Sequence, residues 1–227
     1  MTNTPRVVVD PLPYAEPSDV RPGPWTFAED VDPRHTGLLV VSLQNDFCHP
    51  DGACGRRRQD PFLGEAVKNT RALLAVVRRA GVPVFHVRTV YNNWTVSTVV
   101  ARQWRAAGTG PVCWEGSWGA EFYEILPEPE DRIVSKFRAS GFLETDLELS
   151  LRAKEIETLL VAGMGAWGGA YETAWDGVAR DHEVVLVEDC IAGGRAHDRE
   201  VVHDLFRHYF GHVVPSEMVV GTWQGRS

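Results

Sequence analysis

"GLLVVSLQNDFCHP", residues 37–50, is an apolar run that breaks abruptly into polar residues. It reads as a buried strand over 37–43 handing the chain to a loop. Ser42 is the first polar side chain delivered, with Gln44, Asn45 and Asp46 just behind it. Working outward, strand and helix patterns alternate. Residues 64–80 place Val67, Leu73, Leu74 and Val77 at helical spacing, and Gly81 supplies the helix stop. Further strands are predicted over 82–88, 132–136, 157–163 and 183–188, with a short last one within 212–220. Helices are predicted over 146–153, 169–180 and 198–209. The strands are almost entirely Val, Leu and Ile, as expected where both sheet faces are covered. The pattern implies an α/β, Rossmann-like three-layer α/β/α sandwich with a six-stranded parallel sheet. Ligands in such sheets bind beyond the carboxyl ends of the strands.

The chain has 227 residues with 44% hydrophobic and 24% charged, which suits one domain, assigned to 37–227. Residues 1–36, rich in Pro, Asp and Glu, read as an arm on the surface or on a neighbouring subunit. The net charge of −8 offers no basic face for nucleic acid and no membrane patch. No apolar run approaches the roughly 20 residues a bilayer crossing needs. The N-terminus lacks a signal-peptide layout, so a cytoplasmic location is expected. Four scattered cysteines, Cys48, Cys54, Cys113 and Cys190, make neither a disulfide framework nor a zinc motif.

The strand ends nominate the candidate site. Lys136 closes the 132–136 strand. A strand-end lysine is usually solvated, but a desolvated one has a lowered pKa and can polarise a carbonyl. The glycines of "VAGMGAWGGAYETAWDG" do not follow the first strand of a nucleotide unit, so a dinucleotide loop is not implied. Their backbone N–H groups at a helix start still suit an anion or oxyanion. Asp46, His49 and His86 match no metal spacing; Asp46 reads as a cap for turn N–H groups. The 89–118 stretch is expected to be a long functional loop. Trp94, Trp104, Trp118 and Trp167 fall in pocket-forming segments.

Together, "LLVVSLQNDFCHPDGA", "VPVFHVRTVY", "CWEGSWGAEF", "RIVSKFRASGF" and "LLVAGMGAWGGAYETAWDGVARDHEVVLVEDC" resemble the isochorismatase-like (cysteine hydrolase) family from about residue 36 onward. The resemblance implies the isochorismatase-like hydrolase fold, assembly as a homodimer or homotetramer, and an Asp–Lys–Cys triad. Carried over, the catalytic Asp falls on Ser42, the Lys on Lys136 and the nucleophilic Cys on Gly169; Asp46 matches the second, non-catalytic Asp. The resemblance also implies a cis peptide at Met164–Gly165 and an oxyanion hole from the amides of Gly165 and Gly169. No metal and no cofactor are expected.

The implied triad is therefore degenerate. Glycine has no side chain to attack with, and a serine hydroxyl cannot replace an aspartate as base at neutral pH. The expected function is a repurposed enzyme acting on a small aromatic or apolar metabolite without a thiolate. Lys136 and Ser42 would be catalytic, with Gly165, Gly169, Trp94, Trp167 and Trp118 binding substrate. The alternative is an inactive pseudo-hydrolase that binds a small molecule or a partner protein.

Overall fold

The computed structural model describes residues 26–57, 60–165 and 168–225. In chain order the elements are α1 (Phe27–Asp30), β1 (Thr36–Val41), α2 (Asn45–Cys48), α3 (Leu63–Arg79), β2 (Val84–Thr89), α4 (Thr98–Ala107) and β3 (Arg132–Lys136). There follow α5 (Leu147–Arg152), β4 (Thr158–Met164), α6 (Gly169–Val178), β5 (Glu183–Ala192), α7 (Ala196–Tyr209), β6 (His212–Val214) and α8 (Ser216–Gln224). The six strands form one parallel sheet in the order β3-β2-β1-β4-β5-β6. The order reverses between β1 and β4, which opens a crevice at their carboxyl ends.

Alternation along β1 distributes its side chains to the two faces. Leu39 and Val41 join α5, α6 and α7 through Leu147, Leu151, Ala174 and Phe206. Leu38 and Val40 join α3 and α8 through Leu73, Leu74, Val77, Val219 and Trp223. These are the three expected layers. Every residue of β1 is buried, so the strand reads as a continuous apolar run rather than an alternating one.

Three expectations change. Residues 26–36 are built into the domain rather than forming part of an arm. Thr26 and Glu29 make a capping box for α1, Val31 is fully buried, and Trp223 Nε1 donates to the Val31 carbonyl at 2.6 Å. Residues 1–25 of the proposed arm lie outside the described residues. The 89–118 stretch is not a plain loop: it carries α4, started by Ser97 accepting from the Val100 N–H and stopped by Gly108 at φ 61°. The strand sought in 212–220 stops at Val214. The chain then enters α8, whose first N–H and Ser216 hydroxyl both donate to Asp189 at 2.7 Å.

Candidate active site

The carboxyl edge of the sheet gathers most of the predicted groups. After β1, Ser42 turns the chain out of the sheet at φ 56°, a left-handed conformation uncommon for a residue with a side chain. Its N–H still donates to the Val87 carbonyl at 2.8 Å, and its carbonyl accepts from the Gln44 N–H at 2.9 Å. The Gln44 side chain is fully buried. Its Nε2 donates to the carbonyls of Thr89 and Ala120, each at 2.8 Å. Asn45 Nδ2 donates to the Trp118 carbonyl. Asp46 accepts from the Ala53 N–H at 2.9 Å and the Cys113 N–H at 2.6 Å, so it fastens two loops.

Thr89 ends β2, and the β2–β3 register pairs it directly with Lys136. The Thr89 hydroxyl is 3.5 Å from Ser42 Oγ. Lys136 is 2% exposed, and Nζ donates to the Arg138 carbonyl at 2.9 Å. Burial strips water from the ammonium and lowers its pKa to about 8, against smaller opposing pulls from Cys113 and Glu172.

On the other side of the crevice, β4 runs so close to β1 that a β-carbon on Gly163 would lie 2.0 Å from the Val41 carbonyl oxygen. Two implications of the family resemblance are not met here. No peptide bond among the described residues is cis, so Met164–Gly165 is trans. The Gly165 N–H donates to the Ala192 carbonyl at 3.0 Å and is not available to an oxyanion. Gly169 opens α6, and its N–H meets no acceptor among the described residues.

A cavity of about 870 Å³ joins these groups. Ser42, Thr89, Lys136, Gly165 and Gly169 line its floor, with Arg138, Glu172 and Cys54 around them. Val99, Val100, Trp104 and Ala107 of α4, together with Leu143, form an apolar wall. Trp104 meets Tyr91 edge-on at 5.1 Å. The other tryptophans depart from expectation. Trp94 is 96% exposed and Trp118 47% exposed, its ring edge-on to His49; neither lines the cavity. Trp167 lies outside the described residues. Thr89 and Arg138 fall in the strand-end stretches where ligands are expected, and Trp104 lines the cavity as expected; the lining that the sequence reading missed is the rest of the α4 face. The Ser97–Gly108 pair of helix boundary signals could have revealed α4.

Burial disfavours the thiolate form of all four cysteines. Burial pushes Cys48 up to about 12 and raises Cys113 and Cys190 as well. Cys54, which reaches the cavity, is raised by burial and by Asp46. His86 is buried in β2, with Nε2 against Asp131 at 3.1 Å. Among the described residues, no cluster of three or more His, Cys, Asp or Glu side chains is arranged to hold a metal ion. Among them too, no helix is long and apolar enough to cross a membrane.

A second cavity, of about 760 Å³, lies beside α7. Several of its polar groups already have partners. Arg199 donates to the carbonyls of Ile191 and Glu188 and stacks over Phe62, and the Tyr171 hydroxyl meets His203 Nε2 at 2.6 Å.

Comparison with known proteins agrees with this architecture. The chain is 29% identical over 182 residues to the ureidoacrylate amidohydrolase RutB of Methylobacterium radiotolerans, covering 70% of this chain and 67% of that one. The crystal structure of the N-carbamoylsarcosine amidase of Thermoplasma acidophilum superposes with a TM-score of 0.67 at 28% identity, over 80% of this chain and 96% of that one. A cysteine hydrolase from Pseudomonas syringae pv. phaseolicola gives a TM-score of 0.77 at 24% identity, over 87% and 96%, and shares the fold. The isochorismatase domain model matches residues 36–218, and the chain belongs to the isochorismatase family.

Proposed function

We propose that this protein is an enzyme acting on a small carbonyl-bearing metabolite with an apolar or aromatic part, using Lys136 as its acid–base group and no thiolate. The observation that carries this reading is the Lys136 amine. It is buried, has a pKa lowered to about 8, and borders a cavity walled by Val99, Val100, Trp104 and Leu143. A group titrating near neutrality in such a cavity is suited to proton transfer. At pH 7 roughly a tenth of a lysine with that pKa is neutral and able to accept a proton. The relatives' names make ureido and N-carbamoyl acids the first compounds to try.

Ser42 and Gly169 stand where the family's Asp and Cys are expected, so covalent attack by a thiol is outside this reading. The test is release of ammonia or amine from a panel of ureido acids, N-carbamoyl amino acids and simple amides. Lys136→Met is expected to abolish turnover of any substrate found, and a fully active variant overturns the proposal.

A second reading, a binding protein without turnover, is favoured by one observation: the Gly165 N–H is taken by Ala192, which removes half of the implied oxyanion hole. Thermal stabilisation by a panel member that is never consumed would support it.

A further inference from the structure

Gly169 leaves space that another residue fills. A β-carbon built at Gly169 would lie 3.0 Å from Ser42 Oγ and 3.5 Å from Ser42 Cβ. The Ser42 hydroxyl therefore sits beside the position from which a side chain at 169 would act. Its left-handed backbone, φ 56°, brings it there. Strained backbone of this kind persists only where the surroundings enforce it, and it concentrates at functional sites. Here the enforcement is visible. The Ser42 N–H is held by Val87 and its carbonyl by the Gln44 N–H.

The hydroxyl is buried, lines the cavity, and among the described residues has one side-chain hydrogen-bond neighbour, the Thr89 hydroxyl at 3.5 Å. Thr89 is in turn the cross-strand partner of Lys136. Ser42, Thr89 and Lys136 thus form a row across the carboxyl ends of β1, β2 and β3. The row lies beside the first turn of the ten-residue α6, where the helix dipole and the Gly169 N–H favour negative charge.

We propose that Ser42 has taken over the position of the missing thiol as the nucleophile, with Thr89 passing its proton to Lys136, so that the protein cleaves amide or ureido bonds through a seryl ester. The inference rests on the enzymatic reading above. In the first step Ser42 Oγ bonds to the carbonyl carbon while its proton moves through the Thr89 hydroxyl to the neutral Lys136 amine, which turns from the Arg138 carbonyl into the shared cavity to receive it. The carbon–nitrogen bond then breaks, and the departing amine takes the proton from Lys136. Water adds to the seryl ester, its proton passing through Thr89 to Lys136; the bond between the carbonyl carbon and Ser42 Oγ then breaks, and that proton returns through Thr89 to Oγ. The acid is released, and Ser42 regains its hydroxyl. Water is the only co-reactant.

The experiment uses p-nitrophenyl acetate on the full chain, read by the p-nitrophenolate burst and by peptide mass spectrometry. The expected result is one acetyl group on the peptide carrying Ser42, lost in Ser42→Ala and absent in Lys136→Met. Ser42→Gly, which accepts the left-handed backbone, serves in place of Ser42→Ala if that variant fails to fold. Thr89→Val is expected to slow acylation by a factor on the order of 100, and Thr89→Ser to restore it. An acetyl group found elsewhere, or acylation undiminished in both Ser42 variants, overturns the proposal. On a substrate from the panel, loss of turnover in Lys136→Met but not in Ser42→Gly removes the seryl ester and leaves the Lys136 reading standing. Full turnover in both removes the two together.

Discussion

Gln44 grips both backbone polar groups of Thr89 at once: its Nε2 donates to the Thr89 carbonyl at 2.8 Å, and the Thr89 N–H donates to its Oε1 at 2.6 Å. A third bond, to the Ala120 carbonyl, ties in the segment that follows α4. One buried amide thus sets the end of β2 against the end of β1, where Ser42 and Thr89 meet. Gln44→Leu leaves these backbone groups buried without partners, at about 1–3 kcal/mol for each group that cannot relax to water. The expected net loss is about 2–5 kcal/mol, measured by urea unfolding.

Lys136 works against the stability of the fold that holds it. Up to about pH 8 the folded chain carries a buried ammonium that the unfolded chain keeps in water. Between about 8 and the ordinary 10.5, the unfolded chain binds a proton that the folded one does not, so stability rises with pH across that window. The shift corresponds to a penalty on the order of 3 kcal/mol at pH 7. Lys136→Met is therefore expected to raise the melting temperature at pH 7 and to lose the rise between pH 8 and 10. A fall in melting temperature would contradict the assigned burial cost.

His203 imposes the opposite limit. Burial, then Arg199 and Arg207, lower its pKa to about 4, and its ring meets the Tyr171 hydroxyl as a neutral group. As pH falls from 6.5 towards 4 the unfolded chain takes up a proton that the folded chain refuses, and stability drops. His203→Phe should show a shallower decline over that window in acid-unfolding curves, whatever its absolute stability.

Restoring the family's thiol by itself should fail. The Met164 carbonyl oxygen would lie 2.8 Å from a β-carbon at position 169, and Ser42 Oγ would be almost as close. Gly169→Cys is expected to lower stability by about 1–3 kcal/mol through overpacking, and Ser42→Asp with Gly169→Cys to show no thiol-dependent amidase activity. Activity abolished by iodoacetamide in the double variant would show that the backbone yields.

The sheet was legible because parallel strands buried on both faces leave dense Val and Leu runs, as in Leu38–Val41. Lys136 was legible as a candidate because it closes such a run at the carboxyl edge of the sheet, where ligands bind. What failed was orientation. Trp94 is adjacent in sequence to the cavity-forming segment. Its N–H, however, is bound to the Asn92 side chain in a tight turn, and its ring is left in solvent. The partner of the Gly165 amide, Ala192, lies at the end of another strand, and no local pattern announces it. α8 was misread because Val219 and Val220 look like a strand, whereas Val219 and Trp223, four apart, are the residues it buries.

The apolar wall of the cavity comes from α4, a helix carried between β2 and β3 that buries none of its own residues fully. Thr89 and Lys136 end strands of the sheet, and Ser42 directly follows one. On the enzymatic reading proposed above, recognition and reactivity are thus encoded in separable stretches of the gene. On that reading, exchange of the 92–112 segment alone offers lineages a route to new substrates, with the strand-end groups inherited unchanged.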